Sequence, residues 1–308
     1  MTPDDLLIAI AGHGLHPSQL PVTARPLATE AWQELLAALN RELVLGLALH
    51  AVDCGALPVT TAQREDLTDR LALAQDRRSE ADRCLDEVVA ALDRQGIETC
   101  LLHGAATAAL DYDEPGLRLY DTLHLLVPPT QQEEAVTALV ERGILRPNGA
   151  KRRPRKQSAL MHSSRDGIRV VVYASLAPKN FGVPVGAGDL FSNRVTFTPR
   201  SVTFSALGRE ERLIAACVHA RLNEYRKDLL AKRDVVHLVL RDDLSVRKVE
   251  RQASSWRLEP VVAEAVRAAW ETFGVPDVVP ISAWSRSYRP YGRDRRRLAA
   301  YPLPSFGA

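Results

Sequence analysis

Glu98-Thr99-Cys100-Leu101-Leu102-His103-Gly104-Ala105-Ala106 is the stretch on which the fold turns. A short apolar run enters a tight turn and leaves as a row of small residues, the pattern of a strand followed by a closely packed helix. A loop through Asp113, Pro115 and Gly116 leads to Leu123-His124-Leu125-Leu126-Val127, a second strand closed by Pro128 and Pro129. Thr130 caps a helix that runs to Arg142 and ends at Gly143. A basic loop with proline and glycine follows. Residues 168–176 are β-branched enough to read as a buried strand, and residues 195–198 and 202–205 fit two more short strands.

Outward from this mixed segment the periodicity is helical on both sides. Thr2-Pro3 opens a short helix that Gly12 closes. From Thr29 the positions Trp32, Leu35, Leu36, Leu39, Leu43 and Leu47 recur at three and four residues, as in one helix ended by Gly55 and Pro58. A long charged helix is expected from about Thr61 to Gln95, stopped by Gly96. After Gly208 come helices over 210–220, 225–240, 244–256 and 259–273, and the tail beyond Pro276 shows no period. The expected units are a helical region (1–97), an α/β core (98–206), a second helical region (207–275) and an irregular basic and aromatic tail (276–308).

Composition restricts the function classes. With 46% hydrophobic and 25% charged residues the chain resembles an ordinary globular protein. No apolar run approaches the ~20 residues that cross a bilayer, and the N-terminus has an acidic pair where a signal peptide needs basic residues. A cytoplasmic protein without a membrane partner is expected. The net charge of +2 argues against a general polyanion binder, although Lys151, Arg152, Arg153, Arg155 and Lys156 form one basic cluster and residues 286–297 another. Cys54, Cys84, Cys100 and Cys217 show no Cys-x-x-Cys pair and no histidine at zinc spacing, so buried reduced thiols are expected.

The mixed segment resembles the uncharacterised nucleotidyltransferase family of the polymerase-β-like superfamily, and the resemblance extends over nearly the whole chain. In that family a leucine-rich strand enters a Lys-Gly-small-small turn. A tyrosine, an arginine and an Asp-x-Asp-Leu-Leu-Val strand follow. The counterparts are Leu102-His103-Gly104-Ala105-Ala106, Tyr112, Arg118 and Leu125-Leu126-Val127. Residues 171–176 stand for a later Asp-Leu-His-Trp-x-Leu strand, and His219 with Asp234-Val235-Val236 for a helical His and Asp-Leu pair. The resemblance implies an α+β protein: a polymerase-β-like core, with a small mixed sheet and helices, flanked by N-terminal and C-terminal helical segments. It also implies transfer of a nucleoside monophosphate from an NTP.

That chemistry needs carboxylates. Two Mg²⁺ ions stabilise the attacking and leaving oxygens, and Mg²⁺ selects hard oxygen ligands. The family places two acidic residues at i and i+2 of one strand, on the same face, and a third on a neighbouring strand. In the register set by Arg118 and Leu125-Leu126-Val127 these catalytic positions hold Thr122, His124 and Val171. None is acidic, so no metal site and no cofactor are expected, and the protein reads as a catalytically impaired relative, a pseudoenzyme that binds a nucleotide or a partner. The alternative is an active Mg²⁺-dependent enzyme with relocated carboxylates. Asp121 is the first candidate: strand alternation points it away from Thr122 and His124, and a bulge would turn it inward. Asp111, Asp113 and Asp166 are others.

The remaining candidates each carry an ordinary reading. His103, Gly104 and Ala105 either cradle phosphate through backbone N–H groups or form a plain tight turn. Arg118 contacts a phosphate or pairs with Asp113 or Glu114. His124 is an exchanged metal ligand or a polar residue on a cleft-facing strand. The cluster 151–156 steers NTP, RNA or a protein partner, or is an exposed loop. His219 and Asp234 tie the C-terminal helices to the core or line the cleft floor.

Overall fold

Thr2 and Thr60 each accept a hydrogen bond from the backbone N–H three residues on, and the side chains of Asp5 and Gln63 return the contact, so two reciprocal capping boxes start helices α1 (Pro3–Gly12) and α4 (Thr61–Asp93). In the computed structural model, residues 2–15, 23–147, 159–177, 187–222, 228–241, 244–276 and 279–300 are described. The stripe read as one helix from Thr29 is two, α2 (Thr29–Arg41) and α3 (Leu45–Asp53). The break falls at Leu43, whose φ of 59° lies in the left-handed region that no helix interior tolerates. Apolar spacing survives such a break because the hydrophobic side still faces the core.

The core is a six-stranded mixed sheet in the order β3-β4-β2-β1-β6-β5. Its strands are β1 (Cys100–Leu102), β2 (Thr122–Leu126), β3 (Ala159–Ser163), β4 (Arg169–Tyr173), β5 (Val195–Phe197) and β6 (Phe204–Ala206). β2 runs antiparallel to β1 and parallel to β4. β3 falls where the sequence predicts a loop; its Ala-Leu-Met-His-Ser sequence lacks β-branched residues, and it forms by pairing along the whole of β4.

Period-2 alternation divides the sheet between two cores. Leu101, Leu123, Leu125, Val170 and Val172 pack with the second half of α4 and with α6 (Gln132–Glu141). Cys100, Leu102 and Leu126 face the other way, into a larger core with α1 to α3 and the C-terminal helices. These are α8 (Arg209–Leu222), α9 (Asp228–Val239), α10 (Val246–Ser255) and α11 (Glu259–Phe273); a short helix α7 (Ala187–Ser192) leads into β5. The tail read as irregular contains two further helices, α12 (Pro280–Ser287) and α13 (Gly292–Ala299); proline at the first helical position starts α12. Arg221 Nη2 donates to Leu298 O at 3.2 Å and so ties α13 to α8.

Cys84, Cys100 and Cys217 are buried, and burial pushes each thiol pKa up, that of Cys100 to about 12. Cys54 departs from the expectation: it is exposed at the end of α3. The basic cluster at 151–156 lies outside the described residues. No helix among the described residues is long and apolar enough to cross a membrane.

Candidate functional site

The larger-core face of the sheet leaves a cavity of about 240 Å³ between β2, β4 and helix α9, closed on one side by Leu43 at the α2–α3 break. His124 pairs directly with Val171 across β2 and β4, and Thr122 with Arg169. Partners in a parallel ladder share a face, so Thr122, His124 and Val171 converge on the cavity, as their register requires. The register also fixes what stands there: a hydroxyl, an imidazole and an isopropyl group.

Asp121 corrects the expectation from strand alternation. It precedes the first residue of β2, and its carboxylate reaches the cavity wall, where it accepts a hydrogen bond from Thr122 Oγ1 at 2.9 Å. Arg169 Nη2 lies 3.8 Å from its other oxygen. The other acidic candidates are elsewhere. Asp111 is fully buried and forms a two-point salt bridge with Arg212 at 2.7 and 3.0 Å. Asp113 is exposed near Arg241, and Asp166 is exposed beside Arg165. None of these three lines the cavity.

His103 and Gly104 line the cavity, whereas Ala105 faces a separate cleft with Arg78, Asp82 and Phe204. The turn has clear packing reasons. His103 takes φ 52°, ψ −144° before the seven-residue helix α5 (Gly104–Leu110), and a Cβ on Gly104 would stand 2.9 Å from Tyr120 Cβ. Glycine is therefore required by Tyr120, whose hydroxyl donates to Asp82 on α4. Arg118 also lines the cavity, but its guanidinium is held by Asp234 of α9, with Nε and Nη2 donating at 2.7 to 3.0 Å. The pairing with Asp113 or Glu114 does not form. The Tyr112 hydroxyl donates to the same carboxylate at 3.0 Å, so Asp234 ties the loop after α5 to the C-terminal helices.

His219 of α8 was expected to contact Asp234 or line the cleft floor; it lines the cavity and stacks on His103 at 4.2 Å between ring centroids. Each ring meets His124 edge-on, at 5.2 Å for His103 and 5.4 Å for His219. His124 Nδ1 lies 3.1 Å from the Tyr173 hydroxyl. Burial is the main cause that depresses all three pKa values; neighbouring imidazoles add to it for His103 and His124, and the Arg118 charge for all three, so that His219 falls to about 4. The cavity therefore presents three neutral imidazoles at pH 7, polar on their nitrogens and apolar on their faces. The stacked pair was hidden in the sequence because its members lie on elements far apart in the chain.

One group of ligating side chains was missed altogether. Among the described residues, His13, His50 and Cys54 form a cluster whose donor atoms all lie within 4.8 Å of one another. The cavity histidines do not converge in this way. The signal available in sequence was His50 and Cys54 at i and i+4 of one helix, a spacing that places both on one face.

No curated protein matches the chain. Among solved structures it is similar to an antigenic nucleotidyltransferase-like protein from Paracoccidioides brasiliensis, at 15% identity and a TM-score of 0.33, covering 64% of this chain and 90% of that one. A sequence profile described as uncharacterised nucleotidyltransferase matches residues 28–274, a span that takes in every residue lining the cavity. The chain belongs to that uncharacterised nucleotidyltransferase family.

Proposed function

We propose that this protein binds a nucleotide in the histidine-lined cavity, or a protein partner, and does not carry out metal-dependent nucleotidyl transfer. The observation that supports this reading most is the convergence of Thr122, His124 and Val171 on the cavity, since the family resemblance puts three carboxylates at these positions. A valine offers no ligand atom, and a neutral imidazole suits zinc better than magnesium. A single carboxylate, Asp121, remains on the wall, and Arg169 already offsets its charge. The cavity volume of about 240 Å³ is below the range of about 300–1,000 Å³ typical of ligand pockets, which favours a nucleoside or monophosphate portion over a triphosphate with two ions. Arg169 on the cavity wall would supply positive charge to a phosphate, and the imidazole faces would stack on a base. Lys151, Arg152, Arg153, Arg155 and Lys156 would steer an RNA or protein partner by long-range attraction; charge reversal there is expected to weaken such binding and flatten its salt dependence.

The alternative is an active Mg²⁺-dependent enzyme, transferring NMP to an acceptor through Asp121. Its support is that Asp121 reaches the wall at all. Titration of the protein with ATP and GTP, in EDTA and in Mg²⁺, followed by a transfer assay, separates the two. Weak binding that Mg²⁺ does not strengthen, without release of pyrophosphate, is expected. The variant Thr122→Asp/His124→Asp/Val171→Asp is expected to gain Mg²⁺-dependent nucleotide binding by about tenfold or more, equivalent to at least about 1.4 kcal/mol. Transfer by the wild type that survives Thr122→Ala and His124→Ala but is abolished by Asp121→Ala would establish the alternative.

A further inference from the structure

We infer that His13, His50 and Cys54 form a binding site for a divalent transition-metal ion of the zinc type, clamping the end of α1 to the end of α3. The site lies outside the cavity, and its His13 precedes the family match that begins at residue 28. Three independent features of the structure build it.

The donor set comes first. Two imidazoles and one thiol are borderline and soft ligands, which select Zn²⁺ and its neighbours over Mg²⁺ or Ca²⁺. The geometry comes second. Cys54 Sγ lies 3.6 Å from His50 Nε2, and donor atoms of all three residues fit within 4.8 Å. With Zn–S of about 2.3 Å and Zn–N of about 2.05 Å, the S···N edge of a tetrahedron is about 3.6 Å. A thiol–imidazole hydrogen bond alone would account for that pair. It would not call for the third donor, His13, whose ring stands 5.5 Å from that of His50.

Third, the ligands are held on fixed backbone. His50 and Cys54 sit one turn apart at the end of α3. His13 is the C-cap of α1, and its N–H bonds to Ile10 O. Arg233 of α9 donates to the carbonyls of Ala11 and His13, the latter at 2.9 Å, and so fixes the end of α1. Binding replaces the Cys54 S–H bond by an S–metal bond and releases the thiol proton to solvent. Cys54 is exposed, so the fourth coordination position opens to water.

The test uses the full chain, reduced and stripped with EDTA, titrated with Zn²⁺ by calorimetry and with Co²⁺ by absorption. One ion per chain is expected, with a thiolate-to-cobalt charge-transfer band, tetrahedral d–d bands and a higher Tm on adding Zn²⁺. Cys54→Ser, at an exposed position that leaves packing intact, should abolish the charge-transfer band. It should also weaken Zn²⁺ by about 100-fold or more, because changes even outside the ligand set cost about 10–100-fold. His50→Ala should weaken it similarly, and His124→Gln in the cavity should leave it unchanged. Cobalt binding without the charge-transfer band would overturn the assignment. So would Zn²⁺ affinity that ignores Cys54→Ser or is lost in His124→Gln.

Discussion

Asp234→Ala is expected to cost about 3–5 kcal/mol of folding free energy, read from urea denaturation at pH 7.5. The substitution leaves the Arg118 guanidinium buried, with only 5% of the residue exposed, and removes the carboxylate that receives three of its hydrogen bonds. The Tyr112 hydroxyl loses its acceptor in the same step. Burial alone would disfavour the guanidinium charge; Asp234 outweighs it and holds the Arg118 pKa above its ordinary value. The cost is that of a stranded charge, not the net worth of the pair, because the ions already lost their hydration on folding. The double variant Arg118→Met/Asp234→Leu should therefore recover most of the loss. A cost below about 1 kcal/mol for Asp234→Ala would mean that the guanidinium rehydrates through the cavity and is not left as a stranded charge.

This pair also shows what the sequence revealed and what it withheld. The alternation of Leu123, Leu125 and Val127 with Thr122, His124 and Leu126 was visible in one short strand. It sufficed to put Thr122 and His124 on one face, and the resemblance to the family, which places a third position on a neighbouring strand, added Val171. Such inferences rest on local periodicity, which the backbone enforces. The partner of Arg118 was not legible: sequence proximity suggested Asp113 and Glu114, and the fold supplied Asp234, 116 residues away. The stacking of His219 on His103 and the meeting of His13 with His50 are of the same kind. Asp121 differs for another reason: strand alternation does not reach it, because it precedes the first residue of β2, where the chain is free to turn a side chain inward.

Acidification is expected to destabilise the protein steeply between pH 6.5 and about 4, through the cavity histidines. In the unfolded chain each titrates near 6.5; in the folded chain His103 and His124 titrate well below that value and His219 at about 4. Above pH 6.5 these residues are neutral in both states and leave stability unchanged. As pH falls below 6.5 the unfolded chain takes up protons that the folded chain refuses, so the equilibrium moves toward unfolding until the folded-state pKa is reached. Each group contributes at most about 1.4 kcal/mol per pH unit, and three together roughly 2–4, because the cavity is open to some solvent. Marginal stabilities of about 5–15 kcal/mol leave little beyond two such units. His13, His162 and His237, depressed chiefly by burial, act in the same direction. Urea midpoints measured from pH 7.5 to 5.0 should therefore fall continuously below 6.5. His124→Gln and His219→Gln should each flatten the slope by up to one proton, and the double variant by up to two. The stacked pair adds a constraint: protonating either His103 or His219 sets a cation against its neighbour's face at 4.2 Å, so the second proton must bind far more weakly than the first. A stability that stays level from pH 7 to 5, with both single variants indistinguishable from the wild type, would show that the folded imidazoles take up protons as they do in the unfolded chain. The cavity would then become cationic only below about pH 6.5, where a phosphate rather than a nucleobase would be its natural occupant.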